Sequence, residues 1–229
     1  MKKYSSFTLA CAILCGGFVS AHADVFLVLG SYGSSTPNPG LGNSATIYNP
    51  LVSTVNSGST STFNISPGTV WHPPIGGSNW VSFDPGTGPT SGVVVPNGDY
   101  IYSTTFNVFG EEVAGIGSLS VLADDTVSIF LNGNLILPSA GPMGPNNSYA
   151  MCSDVAPNCI TPLSFSFSGF TAGLNTLTFD VKQVNGVNQG LDYFGILSST
   201  AVPEPLPLVL LGTGLLGLVG MSRRYITAR

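Results

Sequence analysis

Two adjacent pairs of acidic residues, Asp124–Asp125 and Glu111–Glu112, are the groups in this sequence that come closest to a hydrolytic pair. Glycoside hydrolysis needs two carboxyl groups on either side of a cleft, whereas neighbours on a β-strand point to opposite faces. We therefore interpret Asp124 and Asp125 as turn residues. The alternative is a contact to Ca²⁺ or to a hydroxyl group, because carboxylates are hard oxygen ligands.

A nucleophilic mechanism lacks its base in this chain. A Ser or Cys nucleophile needs a general base beside it, and His72 is the only histidine after residue 23. It lies in a Trp-His-Pro-Pro run that predicts a stiff, exposed loop, and no Gly-x-Ser-x-Gly turn occurs. The sequence therefore predicts a protein that is not an enzyme. A hydrolase that uses acids brought together by the fold is the alternative.

Cys152 and Cys159 are the two cysteines that follow the N-terminal segment, and Pro157 lies between them. In an oxidising compartment such a pair predicts a disulfide. A metal site at this position would lack further ligands, since His72 is the only histidine after residue 23. Apart from the Ca²⁺ alternative above, we expect no cofactor.

Charged residues make up 7% of the chain, against roughly 25% in average soluble domains. Residues 24–202 contain one lysine, Lys182, no arginine and ten acids, which gives this stretch a net charge of −9. A surface without cations cannot neutralise phosphates, so nucleic acid is excluded as a partner. A hydrophobic content of 43% is too high for a disordered segment.

The N-terminus has the three parts of a secretory signal peptide. Lys2 and Lys3 supply positive charge, residues 7–19 are apolar, and Ala21 and Ala23 form an A-x-A cleavage box. Residues 1–23 are therefore predicted to be removed, so that the mature chain begins at Asp24. The alternative is an uncleaved anchor, but the apolar run is too short to span a bilayer comfortably.

The C-terminus begins with Val202, Pro203, Glu204 and Pro205, continues with an apolar run over residues 206–221, and ends in a short basic tail with Arg223 and Arg224. This order resembles the PEP-CTERM sorting signal over residues 202–229. The resemblance implies a single transmembrane helix, the export machinery and an exosortase-like sorting enzyme as partners, and a location on the outer surface or outside the cell. It also implies a Gram-negative host that produces exopolysaccharide. A plain tail anchor is the alternative.

The residues between the two terminal segments favour an all-β domain, residues 24–201, with the architecture of a β-sandwich or jelly roll. Apolar and polar residues alternate in several short runs, and Asn132–Gly133 is a strong two-residue hairpin signal. Residues 30–67 are expected to be loops with one or two short edge strands. The predicted strands are residues 93–95, 100–109, 118–123, 126–131, 134–137, 163–168, 177–182 and 191–197.

Residues 80–136 resemble galactose-binding-like jelly rolls, in which an Asp-Asp pair precedes a strand that ends in Asn-Gly. The resemblance implies sugar contacts at loops, and it makes polysaccharide a possible partner. The contacts it implies are Trp80, Tyr102, Asp124, Asp125 and Asn132. Packing in the core remains the alternative for the two aromatic residues, and a role in a turn remains the alternative for Asp124, Asp125 and Asn132.

Together these features predict a non-catalytic exported surface protein that associates with exopolysaccharide through a carbohydrate-binding-like β-sandwich. The alternative is a purely structural envelope or matrix protein without a discrete ligand.

Overall fold

The computed structural model describes residues 24–32, 39–108, 115–141, 152, 154–200 and 212. Alternating apolar residues make β-strands the regular structure of described residues 24–200, because a strand with a period of two can bury one face against a second sheet. Its twelve strands are β1 (Asp24–Gly30), β2 (Gly42–Asn43), β3 (Ile47–Tyr48), β4 (Thr62–Asn64), β5 (Val81–Ser82), β6 (Gly98–Val108), β7 (Gly115–Asp124), β8 (Thr126–Leu131), β9 (Asn134–Leu137), β10 (Leu163–Phe167), β11 (Gly173–Gln183) and β12 (Gly190–Thr200).

The strands form two antiparallel sheets. The first has the order β10-β7-β12-β5-β4-β2, with β1 also paired to β12, and the second has the order β3-β6-β11-β8-β9. The eight principal strands therefore run β1-β12-β7-β10 in one sheet and β6-β11-β8-β9 in the other. Except for the β8–β9 hairpin, each connection after β6 crosses between the sheets, which is the connectivity of a jelly roll. The prediction of an all-β sandwich or jelly roll is confirmed.

The core lies between the two sheets and follows the predicted alternation. Leu119 and Val121 of β7 and Val127 and Ile129 of β8 are buried in it. The hairpin turn at Asn132 and Gly133 is also confirmed: both residues have positive φ, 50° and 83°, which this two-residue turn requires.

Three strand predictions were wrong in detail. Residues 93–95 form no ladder, and Val95 makes a single backbone hydrogen bond to the Val187 carbonyl oxygen, at 3.3 Å. The region between residues 30 and 67 holds three short strands, of which β4 is internal. Strand β1 was missed, because its run of consecutive apolar residues has no period of two.

Residues Asp24–Thr200 form one compact unit, and its two ends are paired, since Asp24 lies opposite Thr200 in the β1–β12 ladder. In the part of the chain that the structure describes, no helix has the length and apolarity needed to span a membrane. The predicted signal cleavage and sorting residues lie outside the described residues: Ala21, Ala23, Val202, Pro203, Glu204, Pro205, Arg223 and Arg224. So does the Glu111–Glu112 pair.

Candidate functional site

The two aromatic residues predicted to contact sugar lie in the interior. Trp80 and Tyr102 have no exposed surface. The Trp80 indole N–H donates a hydrogen bond to the carbonyl oxygen of His72, at 2.8 Å, and the Tyr102 hydroxyl donates to the side-chain oxygen of Gln189, also at 2.8 Å. A polysaccharide cannot reach either ring, so these two predicted contacts are corrected to core residues whose polar atoms are satisfied internally.

Asp124 and Asp125 are also buried, at 3% and 2% exposure. They hydrogen-bond each other, so the expectation that they point to opposite faces was wrong. Strand alternation does not apply to them, because Asp124 ends β7 and Asp125 lies in the bend before β8. They do connect two strands, as the turn interpretation held, but they are closed off from a ligand at the surface.

The two acids differ in their surroundings, and this difference decides which of them carries a proton. Burial, and then the neighbouring charge of Asp125, raise the pKa of Asp124 well above its ordinary value. Burial also raises the pKa of Asp125, but backbone N–H groups oppose the rise. Asp125 accepts hydrogen bonds from the N–H of Val184, at 2.6 Å, and of Cys152, at 3.4 Å. We therefore assign the proton to Asp124 and the charge to Asp125.

The predicted disulfide between Cys152 and Cys159 is confirmed, with a Cα–Cα distance of 5.4 Å. It packs in a second apolar cluster with Trp71, Trp80 and Leu122. The two indole rings lie 4.4 Å apart between centroids. Asp124 approaches both sulfur atoms within 4.8 Å, but sulfur in a disulfide is not the thiolate that binds metal ions. The cluster therefore has a structural role, and it packs beside Asp124.

Asp192 is a buried acid that the sequence analysis did not single out. It lies in β12 with no exposed surface, accepts a hydrogen bond from the Ser31 hydroxyl at 3.0 Å, and accepts another from the Ile75 N–H at 2.9 Å. Burial raises its pKa to about 6, against hydrogen bonds that lower it. An acid inside an apolar strand is the signal that would have identified it. Its contacts fix the loop around Ile75.

Asn132, the last predicted sugar contact, is exposed, but its side chain is engaged. Its side-chain Nδ2 donates a hydrogen bond to the side-chain oxygen of Asn175, at 2.8 Å, and its side-chain Oδ1 accepts one from the backbone N–H of Thr176, at 2.9 Å. Asn132 thus ties the β8–β9 turn to the start of β11. Its position and contacts indicate a structural role.

A cleft of about 430 Å³ opens at the side of the sandwich, between β1 of the first sheet and β6 of the second. Its position follows from strand length. Strand β3 pairs with β6 only through Ile47 and Tyr48, opposite Ser103 and Tyr102. Residues 104–107 of β6 therefore pair with no described strand on that side, and they border the cleft together with β1.

The cleft has an apolar floor and a mixed rim. Leu27 and Leu29 of β1 and Phe106 of β6 line the floor; Leu29 and Phe106 are buried, and Leu27 is half-buried. Thr104 also lies there, and it contacts the hydroxyl of the buried Tyr193. The rim includes the exposed residues Tyr32, Ser44, Thr105 and Asn107. Among the residues that the structure describes, none that lines the cleft is charged.

The ring of Tyr32 is held at the mouth of the cleft by β1. Its hydroxyl donates a hydrogen bond to the carbonyl oxygen of Val28, at 3.0 Å. The ring lies close over Gly30, where a Cβ atom would come within 2.5 Å of the ring carbon Cδ1. Glycine at this position therefore permits the close approach. Tyr32 as a whole is 40% exposed, so it can present an aromatic surface to a ligand.

Comparisons with known proteins give weak structural likenesses. No protein-family model matches the chain, and no curated protein matches its sequence. A family 35 carbohydrate-binding module from Clostridium thermocellum is similar at 12% identity, over 75% of this chain and 97% of that one, with a TM-score of 0.32. A CBM35 structure from Paenibacillus barcinonensis has 10% identity over 74% and 97%, with a TM-score of 0.33. A β-glucosidase from Kluyveromyces marxianus, in complex with glucose, has 12% identity over 69% and 18%, with a TM-score of 0.29. TM-scores of this size do not establish a shared fold, and the ligands of those proteins do not transfer to this chain.

Proposed function

We propose that this chain is an exported, non-catalytic protein that binds neutral polysaccharide in the cleft between β1 and β6. The observation that carries the proposal is a cleft whose described lining is uncharged and combines the exposed Tyr32 with hydroxyl and amide groups. The stretch that contains the domain has a net charge of −9, and this charge repels polyanions. A hydroxyl-rich neutral chain meets no such repulsion.

The cleft offers the two kinds of contact that sugars use. The exposed face of Tyr32 packs against the C–H surface of a sugar ring. Ser44, Thr105 and Asn107 provide hydroxyl and amide groups that can both donate and accept hydrogen bonds to sugar hydroxyls. Each such bond replaces one to water and adds only about 1 kcal/mol. We therefore expect weak binding that depends on several contacts.

Binding is best tested by affinity electrophoresis of the full-length chain in gels that contain a neutral polysaccharide. Tyr32→Ala should reduce retention most, and Asn107→Ala should reduce it less. Leu51→Ala is a matched control, since Leu51 is 84% exposed and does not line the cleft. If Tyr32→Ala and Leu51→Ala migrate like the parent protein in every gel that retains the parent, the cleft is not the binding site.

Export and sorting belong to the same proposal and rest on the sequence of the two terminal segments. The pairing of Asp24 with Thr200 is compatible with it, because the two residues that adjoin the terminal segments lie side by side in one ladder. Removal of residues 1–23 would leave the β1 ladder intact. Mass spectrometry of both termini should find Asp24 as the first residue of the mature chain. Deletion of residues 203–229 should change where the protein accumulates, and an unchanged distribution would contradict the sorting role.

A purely structural role is the second candidate, and the outer face of the second sheet favours it. Ser103 lies opposite Thr178, and Thr105 lies opposite Thr176, so hydroxyl groups of β6 and β11 form neighbouring rows. Such a face suits hydration within a matrix and needs no discrete ligand. Failure of the folded protein to be retained by any polysaccharide would leave this role as the better account.

A further inference from the structure

The floor of the cleft is more apolar than sugar hydroxyl groups require. Leu27, Leu29 and Phe106 line it between the two sheets, with Leu29 at 5% and Phe106 at 4% exposure. The hydroxyl of Thr104, the polar group beside them, contacts Tyr193. The Tyr193 hydroxyl is in turn 3.0 Å from the hydroxyl of Thr46. The polar groups at this depth thus have partners within the protein.

A sugar hydroxyl placed on this floor would give up its hydrogen bonds to water and find apolar side chains instead, which is unfavourable. A methyl group placed there would gain free energy from burial. Ionised substituents such as carboxylates are excluded, because no described residue that lines the cleft is a cation and the surrounding domain is acidic. The floor therefore selects a small, neutral, methyl-bearing substituent.

We propose that the cleft selects polysaccharide whose sugar units carry acetyl groups, with the acetyl methyl seated against Leu27, the member of the floor that is only half-buried. This inference rests on the proposed function and adds the class of ligand. An acetyl group fits both parts of the cleft. Its methyl suits the apolar floor, and its carbonyl oxygen needs a donor, which the rim provides through the hydroxyl of Ser44.

A pair of probes that differ only in acetylation tests this inference. The full-length chain is run by affinity electrophoresis in an O-acetylated neutral glucomannan and in the same glucomannan after mild alkaline deacetylation. Burial of one methyl group adds about 0.8 kcal/mol, so we expect about fourfold stronger binding to the acetylated polymer. Equal or stronger binding to the deacetylated polymer would overturn the acetyl inference and leave the proposed function standing. Retention by neither polymer, nor by any other neutral polysaccharide, would overturn both.

A variant that fills the floor gives an independent test. Leu27→Phe adds volume at a half-buried position and leaves the rim residues in place. It should lower the preference for the acetylated polymer from about fourfold to near one, while binding to the deacetylated polymer remains. Val94→Phe is the matched control, because Val94 is 71% exposed and lies outside the cleft. Urea denaturation checks that both variants fold, and an unchanged preference in a folded Leu27→Phe protein would contradict the assignment. If that variant does not fold, the comparison of the two polymers with the parent protein still decides the question.

Discussion

Acidification should stabilise this protein, and Asp192 contributes a part of the effect that can be measured separately. Its pKa is about 6 in the folded domain, against an ordinary value of 3.8, so the folded state binds the proton more tightly than the unfolded state. The stability gained from this proton is fully present below pH 3.8 and is lost as the pH rises through 6. The whole difference is about 3 kcal/mol, of which about 2 kcal/mol is lost between pH 4.5 and 7.5.

The measurement is urea denaturation of the parent protein and of Asp192→Asn at pH 4.5, 5.5, 6.5 and 7.5. The free energy of unfolding of the parent should fall as the pH rises. Asn does not titrate, so the difference between the two proteins should change by about 2 kcal/mol across this range. The raised pKa values of Asp124 and Asp125 act in the same direction in both proteins and cancel in the difference. Parallel pH profiles for the two proteins would show that Asp192 is not held at a raised pKa and would refute the argument.

Three further changes test the structural assignments by denaturation and, for the first, by peptide mapping. Serine at both Cys152 and Cys159 should lower the free energy of unfolding by about 2.5 kcal/mol, because the cross-link that closes an eight-residue loop is lost. Peptide mapping without reductant should find the two cysteines linked in the parent protein. Two free thiols in the exported protein would exclude the bond. Gly195→Ala should lower the free energy of unfolding by about 1–3 kcal/mol, since its Cβ would lie 2.6 Å from a backbone carbonyl oxygen of β7. Gly77→Ala places its Cβ in open space and should lower the free energy of unfolding by less than about 0.5 kcal/mol. Equal losses in the two variants would contradict the packing at Gly195. Asn132→Ala should cost about 1–2 kcal/mol through its lost hydrogen bonds and positive φ, and Asn132→Gly, which keeps the φ, should cost less; the reverse order would refute the turn assignment.

The sequence predicted those parts of the fold that depend on local pattern. Strands β7, β8 and β11 alternate cleanly, and the Asn132–Gly133 turn requires a backbone conformation that few residues adopt. The disulfide followed from two cysteines and the expected compartment. Strand β1 was missed because a strand that is apolar on consecutive residues has no period to detect. The very short strands exist only because longer strands provide partners for them, and no local pattern records that.

The predicted sugar contacts were misplaced for a related reason. Trp80, Tyr102, Asp124 and Asp125 were selected by residue type, and residue type does not distinguish a buried aromatic or acidic side chain from an exposed one. Their burial depends on which segments cover them, such as the loop around His72 and the disulfide segment. The part of the prediction that does not depend on position is the one from charge. An acidic stretch with one lysine predicts neutral ligands wherever a site lies.

The cleft itself arises from a mismatch between two distant strands. Tyr32 follows β1, and Thr105 and Asn107 lie in β6, more than 70 residues later in the sequence. These segments border one cleft because β1 is added to the edge of one sheet, while β3 covers only part of β6 in the other. A residue-by-residue pattern carries no information about how far one edge strand extends past another. We therefore expect substitutions that lengthen β3 to weaken polysaccharide binding, because a longer β3 would pair with β6 and close the cleft. Substitutions that only strengthen the core should affect binding less.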